Sequence, residues 1–221
     1  VVHYASLDQD SSVFNVKDAY EAGDADFHTI VAKMADIPRT AAKTINLGLF
    51  YGMGKAKLQA ELGVSKEKAE ELFSIYHERV PFVKSLTKSV SNRAQQRGQI
   101  RTLLGRLCRF HLWEPNSFGM HKALPFDQAV QEHGPGIKRA YTYKALNKLI
   151  QGSAADMTKK SMLELYKEGI VAHIQVHDEL DISVEDDKKA KRIVEIMESA
   201  VELEIPNKVD YEKGSNWGDI K

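Results

Sequence analysis

The sequence predicts an α+β fold, and three observations carry that reading. Helix-type periodicity dominates residues 38–98 and returns over 138–168. Between Gly98 and Phe110 the pattern shortens to strand length. Around Asp178 a two-residue alternation of apolar and polar side chains marks a strand pair.

Each element has a local cause. Pro38 sits where a first helical turn tolerates it, and Ala42, Ile45 and Leu49 recur at helical spacing towards Tyr51, with Leu47 and Phe50 nearby. Ser65 is a natural N-cap for a second helix through Glu67, Ala69, Leu72, Phe73 and Tyr76. A third helix follows Pro81 and stops before Gly98, which suits the position after a helix end. Residues 99–103 and 106–110 flank Gly105 as a hairpin. Residues 112–136, rich in Pro, Gly, His and Asn, read as a long loop with one short helix. A helix is expected over 138–168, bent at Gly152. Then Val171, His173, Gln175 and His177 alternate with Ala172, Ile174 and Val176. Asp178-Glu179 form the tight connection, and Leu180, Ile182 and Val184 alternate with Asp181 and Ser183. Asp186-Asp187 open a last helix to about Leu203, acidic where the helix dipole favours it, and a tail strand is expected over 209–211.

Composition narrows the classes. With 221 residues, 43 % of them hydrophobic, the chain can bury one or two cores without staples. Its 31 basic and 31 acidic residues cancel, so a basic surface for a polyanion must be local. Cys108 is the single cysteine, which excludes an internal disulfide and fits a reducing compartment. No apolar run approaches the roughly 20 residues of a membrane span, and no secretory signal opens the chain. A first residue of Val suggests a piece of something longer.

Four patterns bear on chemistry. Arg39, Lys43, Leu47 and Tyr51 recur four apart and form one stripe of a helix. Two cations, an apolar position and a phenol suit a triphosphate, a sugar and a base in turn; a surface helix with snorkelling cations is the ordinary use of such a stripe. His177-Asp178-Glu179 at a hairpin tip would hold Mg²⁺, which takes hard oxygen ligands and keeps waters, or would be a plain polar turn. Residues 79–109 carry Arg79, Lys84, Lys88, Arg93, Arg97, Arg101, Arg106 and Arg109 with no Asp or Glu, which fits phosphate contact or a solvated basic face. Asn147 and Gln151, four apart, are amides that can read base edges or bond locally near Gly152.

In order and spacing, these patterns resemble the family A DNA polymerases, the family of bacterial DNA polymerase I and the T-odd phage replicases. Arg39-Thr-Ala-Ala-Lys43-Thr-Ile-Asn-Leu47-Gly-Leu-Phe-Tyr51-Gly52 resembles their fingers motif, Arg-x3-Lys-x7-Tyr-Gly. Gln175-Val-His177-Asp178-Glu179-Leu resembles the palm carboxylate motif, and Asn147-Lys-Leu-Ile-Gln151-Gly the helix before it. Thr102-Leu-Leu-Gly105-Arg106, Asp26-Phe-His28 and the closing Asn216-Trp217 are similar to further family segments.

The resemblance implies a helical fingers subdomain inserted into an antiparallel palm sheet of a right-hand polymerase fold. Residues 1–28 would connect palm to fingers, 29–97 would be fingers helices, and 98–221 distal palm with the catalytic hairpin at 171–184. Lys43 would contact and protonate the leaving phosphates of a dNTP, with Arg39 and His28 on the same triphosphate. Leu47 would lie against the sugar and Tyr51 by the templating base. Asp178 would bind the catalytic Mg²⁺ pair, supported by Glu179. Arg101, Thr102, Arg106, Asn147, Gln151 and His177 would contact the primer-template DNA. The implied location is cytoplasmic, in a bacterial host if the gene is a phage's. The short link from His28 to Arg39 and the run Lys144-Ala-Leu-Asn147 lean to the phage branch.

The chain departs from the family pattern at three places. Leu47 stands where the family has Phe or Tyr, which affects sugar discrimination, and Tyr143 stands where an Arg is frequent. The first palm motif, with its metal-binding Asp, belongs upstream of Val1, and Val2-His3-Tyr4 resembles the family segment just after that motif; thumb and exonuclease portions are absent too. The two-metal site would therefore be completed by a carboxylate not in this chain. The expectation is a C-terminal polymerase part, from a truncated or split chain, that needs an N-terminal polymerase fragment for activity. The alternative is a catalytically incomplete DNA-binding fragment. A single-subunit RNA polymerase fits less well, because the palm motif here reads His-Asp-Glu where those enzymes have His-Asp-Ser.

Overall fold

The computed structural model describes residues 1–22, 27–50, 54–117 and 119–219, and the chain divides into two units, Val1–Ile150 and Gln151–Lys221. The first unit holds α1 (Val2–Leu7), α2 (Phe14–Glu21), α3 (Phe27–Ala35), α4 (Arg39–Phe50), α5 (Lys55–Leu62), α6 (Lys66–Arg79) and α7 (Pro81–Arg97). After them come β1 (Gln99–Arg101), β2 (Leu107–Arg109), β3 (Trp113–Pro115), α8 (Phe126–His133), β4 (Ile137–Arg139) and the first turns of α9 (Ala145–Lys167). The rest of α9, β5 (Ile174–Val176), β6 (Glu179–Asp181) and α10 (Asp187–Ser199) make the second unit.

Local chemistry accounts for the long helices. Ser65 caps α6, its hydroxyl accepting from the Lys68 amide at 3.2 Å, and Ala69, Leu72 and Tyr76 are buried along one face. Pro81 opens α7, which buries Phe82, Val83, Leu86, Val90 and Ala94. Asp186 caps α10, its carboxylate accepting from the Lys189 amide at 2.7 Å.

Two apolar clusters hold these elements. In the first unit, Leu86, Val90 and Ala94 of α7 pack with Ile100, Phe110, Ala145, Leu146 and Leu149. In the second, Leu165, Ile170, Ile193 and Ile196 pack together, with Leu180 and Ile182 against them. The alternation after Glu179 thus turns Leu180 and Ile182 inward, as a period of two requires.

Gly98 joins α7 to the first hairpin. Its φ of +66° is left-handed, and an added Cβ would lie 2.7 Å from the Arg139 guanidinium carbon. That guanidinium donates to the Phe110 carbonyl at 2.9 Å and the Gln95 carbonyl at 3.2 Å, and stacks 4.5 Å from the Trp113 ring centre. The glycine is needed for both its backbone angle and its missing side chain.

Several expectations are corrected. The strands form three separate antiparallel ladders, β1–β2, β3–β4 and β5–β6, and not one palm sheet among the described residues. Each ladder spans only three paired positions. Residues 112–136 are not one loop, because β3 pairs with β4 and Trp113 also bridges Leu124. For the same reason the helix expected from residue 138 starts only at Ala145, and it then runs through Gly152 as α-helix to Lys167. The tight connection of the last hairpin is His177-Asp178, since Glu179 already pairs with Val176. The last helix ends at Ser199. Beyond it Asn207 donates to the Met197 carbonyl at 3.4 Å, and the Val209 amide bonds the Glu198 carboxylate at 3.0 Å, so residues 209–211 form no strand. No helix among the described residues is long and apolar enough to cross a membrane.

Gly98→Ala is expected to lower the unfolding free energy by about 1–2 kcal/mol, from the left-handed angle and the displaced guanidinium. Urea denaturation with an unchanged m-value is the check. A pH effect is expected at His77, whose imidazole is held below its usual range by burial first and by the Lys84 charge second. The folded state therefore favours the neutral ring, and the unfolded chain binds the extra proton. The contribution is fully present above the unfolded value of 6.5 and is lost as pH falls below it towards the lowered folded value. Denaturation midpoints measured across that window should decline, with a shallower decline in His77→Phe.

Candidate functional site

α4 has two unlike sides. Ala42, Ile45 and Asn46 are fully buried, while Arg39, Lys43 and Leu47 are exposed and recur one turn apart. Leu47 keeps 39 % of its surface in solvent, so it serves the exposed stripe and not the core. Arg39 Nε donates to Thr29 Oγ1 of α3 at 3.2 Å, which steadies the head of the stripe. Tyr51 and Asp26, named from the sequence, lie outside the described residues.

His28 of α3 is tied to the same helix. Asn46 Nδ2 lies 3.0 Å from His28 Nδ1, and the Tyr76 hydroxyl of α6 donates to Asn46 Oδ1 at 2.6 Å. Asn46 and Tyr76 are both fully buried. Burial pushes the Tyr76 phenol well above its usual range, so it stays a protonated donor. The structure thus brings His28 to the helix that carries Arg39 and Lys43. Asn46 and Tyr76 were not singled out from the sequence. The available signal was a polar residue on the apolar side of α4, since a buried amide must find partners.

A second surface is basic. All eight cations from Arg79 to Arg109 are exposed. Arg93 pairs with Asp8 at 3.6 Å, and Arg101 Nη1 donates to the Gly105 carbonyl at 3.0 Å. Thr102 is buried and closes the β1–β2 turn, where its hydroxyl accepts from the Arg106 amide at 3.1 Å and its amide donates to the Arg106 carbonyl at 2.9 Å. Thr102 therefore shapes the turn that presents Arg101 and Arg106. Near the start of α9, Asn147 Nδ2 is buried and has no hydrogen-bond partner among the described residues. Gln151, four residues on, is exposed.

The second unit presents His177, Asp178 and Glu179, all exposed, at the tip of β5–β6. His177 has a φ of +54°, the positive angle a two-residue hairpin needs at its first loop position. Gln175 Nε2 donates to the His177 carbonyl and braces the turn. Asp178 and Glu179 offer hard oxygens suited to Mg²⁺. The described residues contain no group of three or more His, Cys, Asp or Glu that could hold a metal ion.

Comparison with known proteins gives a consistent result. The family model for DNA polymerase family A matches residues 5–219. The DNA-directed DNA polymerase of Pseudomonas phage M6 is 34 % identical over 259 residues, covering 98 % of this chain and 36 % of its own length. DNA polymerase I of Bacillus caldotenax is 33 % identical over 192 residues, covering 83 % and 20 %. Among solved structures, the POL domain of Pol1 from M. smegmatis, in complex with DNA primer-template and dNTP, matches with a TM-score of 0.74 at 27 % identity, covering 99 % of this chain and 37 % of that one. The chain spans little more than a third of the length of the phage relative and of the matched structure.

The hairpin tip can be tested by itself. His177→Gly should raise the stability of the turn by about 1 kcal/mol, because glycine adopts the positive angle without a Cβ penalty, while His177→Val should lower it. Hydrogen exchange at the Glu179 amide reads both.

Proposed function

Because this chain belongs to DNA polymerase family A, we propose that it carries the nucleotide-gripping part of a DNA-directed DNA polymerase, acting in nucleotidyl transfer from a dNTP to a primer 3′ end. The observation that supports this best is the exposed Arg39–Lys43–Leu47 stripe, backed by a buried face and joined by His28. Catalysis of phosphoryl transfer is mostly positioning and charge stabilisation, and the stripe supplies both. Arg39 and Lys43 hold the triphosphate, and Lys43 Nζ gives a proton to the departing diphosphate. Leu47 packs on the sugar, and Tyr51 serves the templating base.

Residues 1–28 are proposed as the palm-to-fingers connection, 29–97 as fingers and 98–221 as distal palm. Arg101 and Arg106, on the turn held by Thr102, take phosphates of the primer-template. Asn147, Gln151 and His177 lie along its minor groove. Asp178, with Glu179 beside it, would hold Mg²⁺ together with a carboxylate from an N-terminal polymerase fragment. When bound, the metal supplies charge neutralisation at the reacting phosphate. The cytoplasm, where DNA and dNTPs meet, is the proposed location.

The absence of a three-ligand metal group among the described residues favours a second reading for the chain alone, DNA binding without turnover. Primer extension with Mg²⁺ and four dNTPs tests both. The chain alone is expected to bind primer-template, more weakly as salt rises, and not to extend it. Mixed with the N-terminal part of a family A polymerase it should extend, and Asp178→Ala or Lys43→Ala should each cost about a hundredfold or more in rate. Absence of both binding and complementation would sink the proposal; extension by the chain alone would sink the second reading.

A further inference from the structure

Three side chains from three helices meet behind the stripe, and their distances fix which atoms carry protons. The contact between Tyr76 Oη and Asn46 is 2.6 Å. That length is ordinary for O–H···O and shorter than the usual range of N–H···O, so the Asn46 atom facing the phenol is its carbonyl oxygen. The Asn46 amide nitrogen then faces His28 Nδ1 at 3.0 Å, and an amide nitrogen can only donate. His28 Nδ1 must accept.

We infer that Tyr76 and Asn46 form a positioning relay that locks His28 in one tautomer, with the proton on Nε2, so that the ring offers an N–H donor to the triphosphate. The functional half of this inference rests on the nucleotide reading above; the tautomer does not. The relay runs in one direction. Tyr76 donates to the amide oxygen, the amide donates to Nδ1, and Nε2 donates onward. Burial sets that direction, because both Asn46 and Tyr76 are shut off from water that could offer other partners. Burial keeps the Tyr76 phenol protonated, so it has a proton to donate, and the 2.6 Å contact places that proton on the Asn46 oxygen. A reversed amide would put a proton on Nδ1 and leave a lone pair on Nε2, which would repel phosphate oxygens. The same three residues also join α3, α4 and α6, so the phosphate-facing ring is set by the interior of the helical unit.

The test reads the tautomer directly. Two-bond imidazole ¹H–¹⁵N spectra are recorded on the full chain, with His28→Gln assigning the signal among the eight histidines. In the wild type, Nδ1 of His28 should show the shift of an unprotonated ring nitrogen and Nε2 that of a protonated one. Asn46→Asp keeps size and shape but replaces the donor with an acceptor, so the proton should move to Nδ1. Tyr76→Phe should give a mixture of the two forms, and circular dichroism checks that both variants fold. A role in packing alone would leave the tautomer unmoved. Titration with dATP and Mg²⁺ should shift the wild-type Nε2 signal, with binding weaker by about fivefold in Tyr76→Phe, the worth of one hydrogen bond. A protonated Nδ1 in the wild type, or no change in Asn46→Asp, would overturn the relay. The expected tautomers with no response to dATP would uphold the relay and refute the nucleotide reading.

Discussion

A buried amide is the constraint on which the first unit turns. Asn46 sits on the packed side of α4 with no access to solvent. Leaving such a group without partners costs on the order of 1–3 kcal/mol, a large share of the stability of a small unit. The bonds to His28 and Tyr76 remove that cost only if α3, α4 and α6 keep one mutual register. A register shift in any of the three would break a bond and bury an orphan. Once that side of α4 is fixed, the helical repeat leaves Arg39, Lys43 and Leu47 no choice but to face outward together.

Elsewhere the same rule recurs: a rigid, satisfied mount carries an exposed charged group. Arg139 fills the space beside Gly98 and bonds two carbonyls, which sets the exit from α7 into the first hairpin. Thr102 closes that hairpin, and Arg101 and Arg106 stand on it. In the second unit Leu180 and Ile182 anchor the β5–β6 hairpin while Asp178 and Glu179 project from its tip. Zero net charge is compatible with this arrangement because residues 79–109 gather eight Lys and Arg with no Asp or Glu among them. Charge pattern, not total charge, decides whether a polyanion is held.

Much of the backbone was legible. Ser65, Pro81, Gly98 and Asp186 act on neighbours within four residues, so the ends they mark coincide with α6, α7 and α10. Less legible was anything that depends on a distant partner. Residues 138–139 read as helix until Lys138 pairs with Glu114 and Arg139 with Trp113, across more than twenty residues. The tail looked like a strand until Glu198 took the Val209 amide. His177 shows a finer limit. Alternation located the hairpin, but register moved the turn back by one residue, which changed Glu179 from a loop residue to a paired one.

By itself the sequence determined the family, because ordered motifs are linear objects: residue types at set spacings survive without knowledge of what they touch. It also determined the stripe of α4, since the angle between residues four apart is a property of any α-helix. Only the tertiary structure decided what stands behind the stripe. Eighteen positions separate His28 from Asn46 and thirty separate Asn46 from Tyr76, and no local pattern relates them. Their meeting is a consequence of packing three apolar faces together, and the direction of their hydrogen bonds comes from burial, which a linear string does not record.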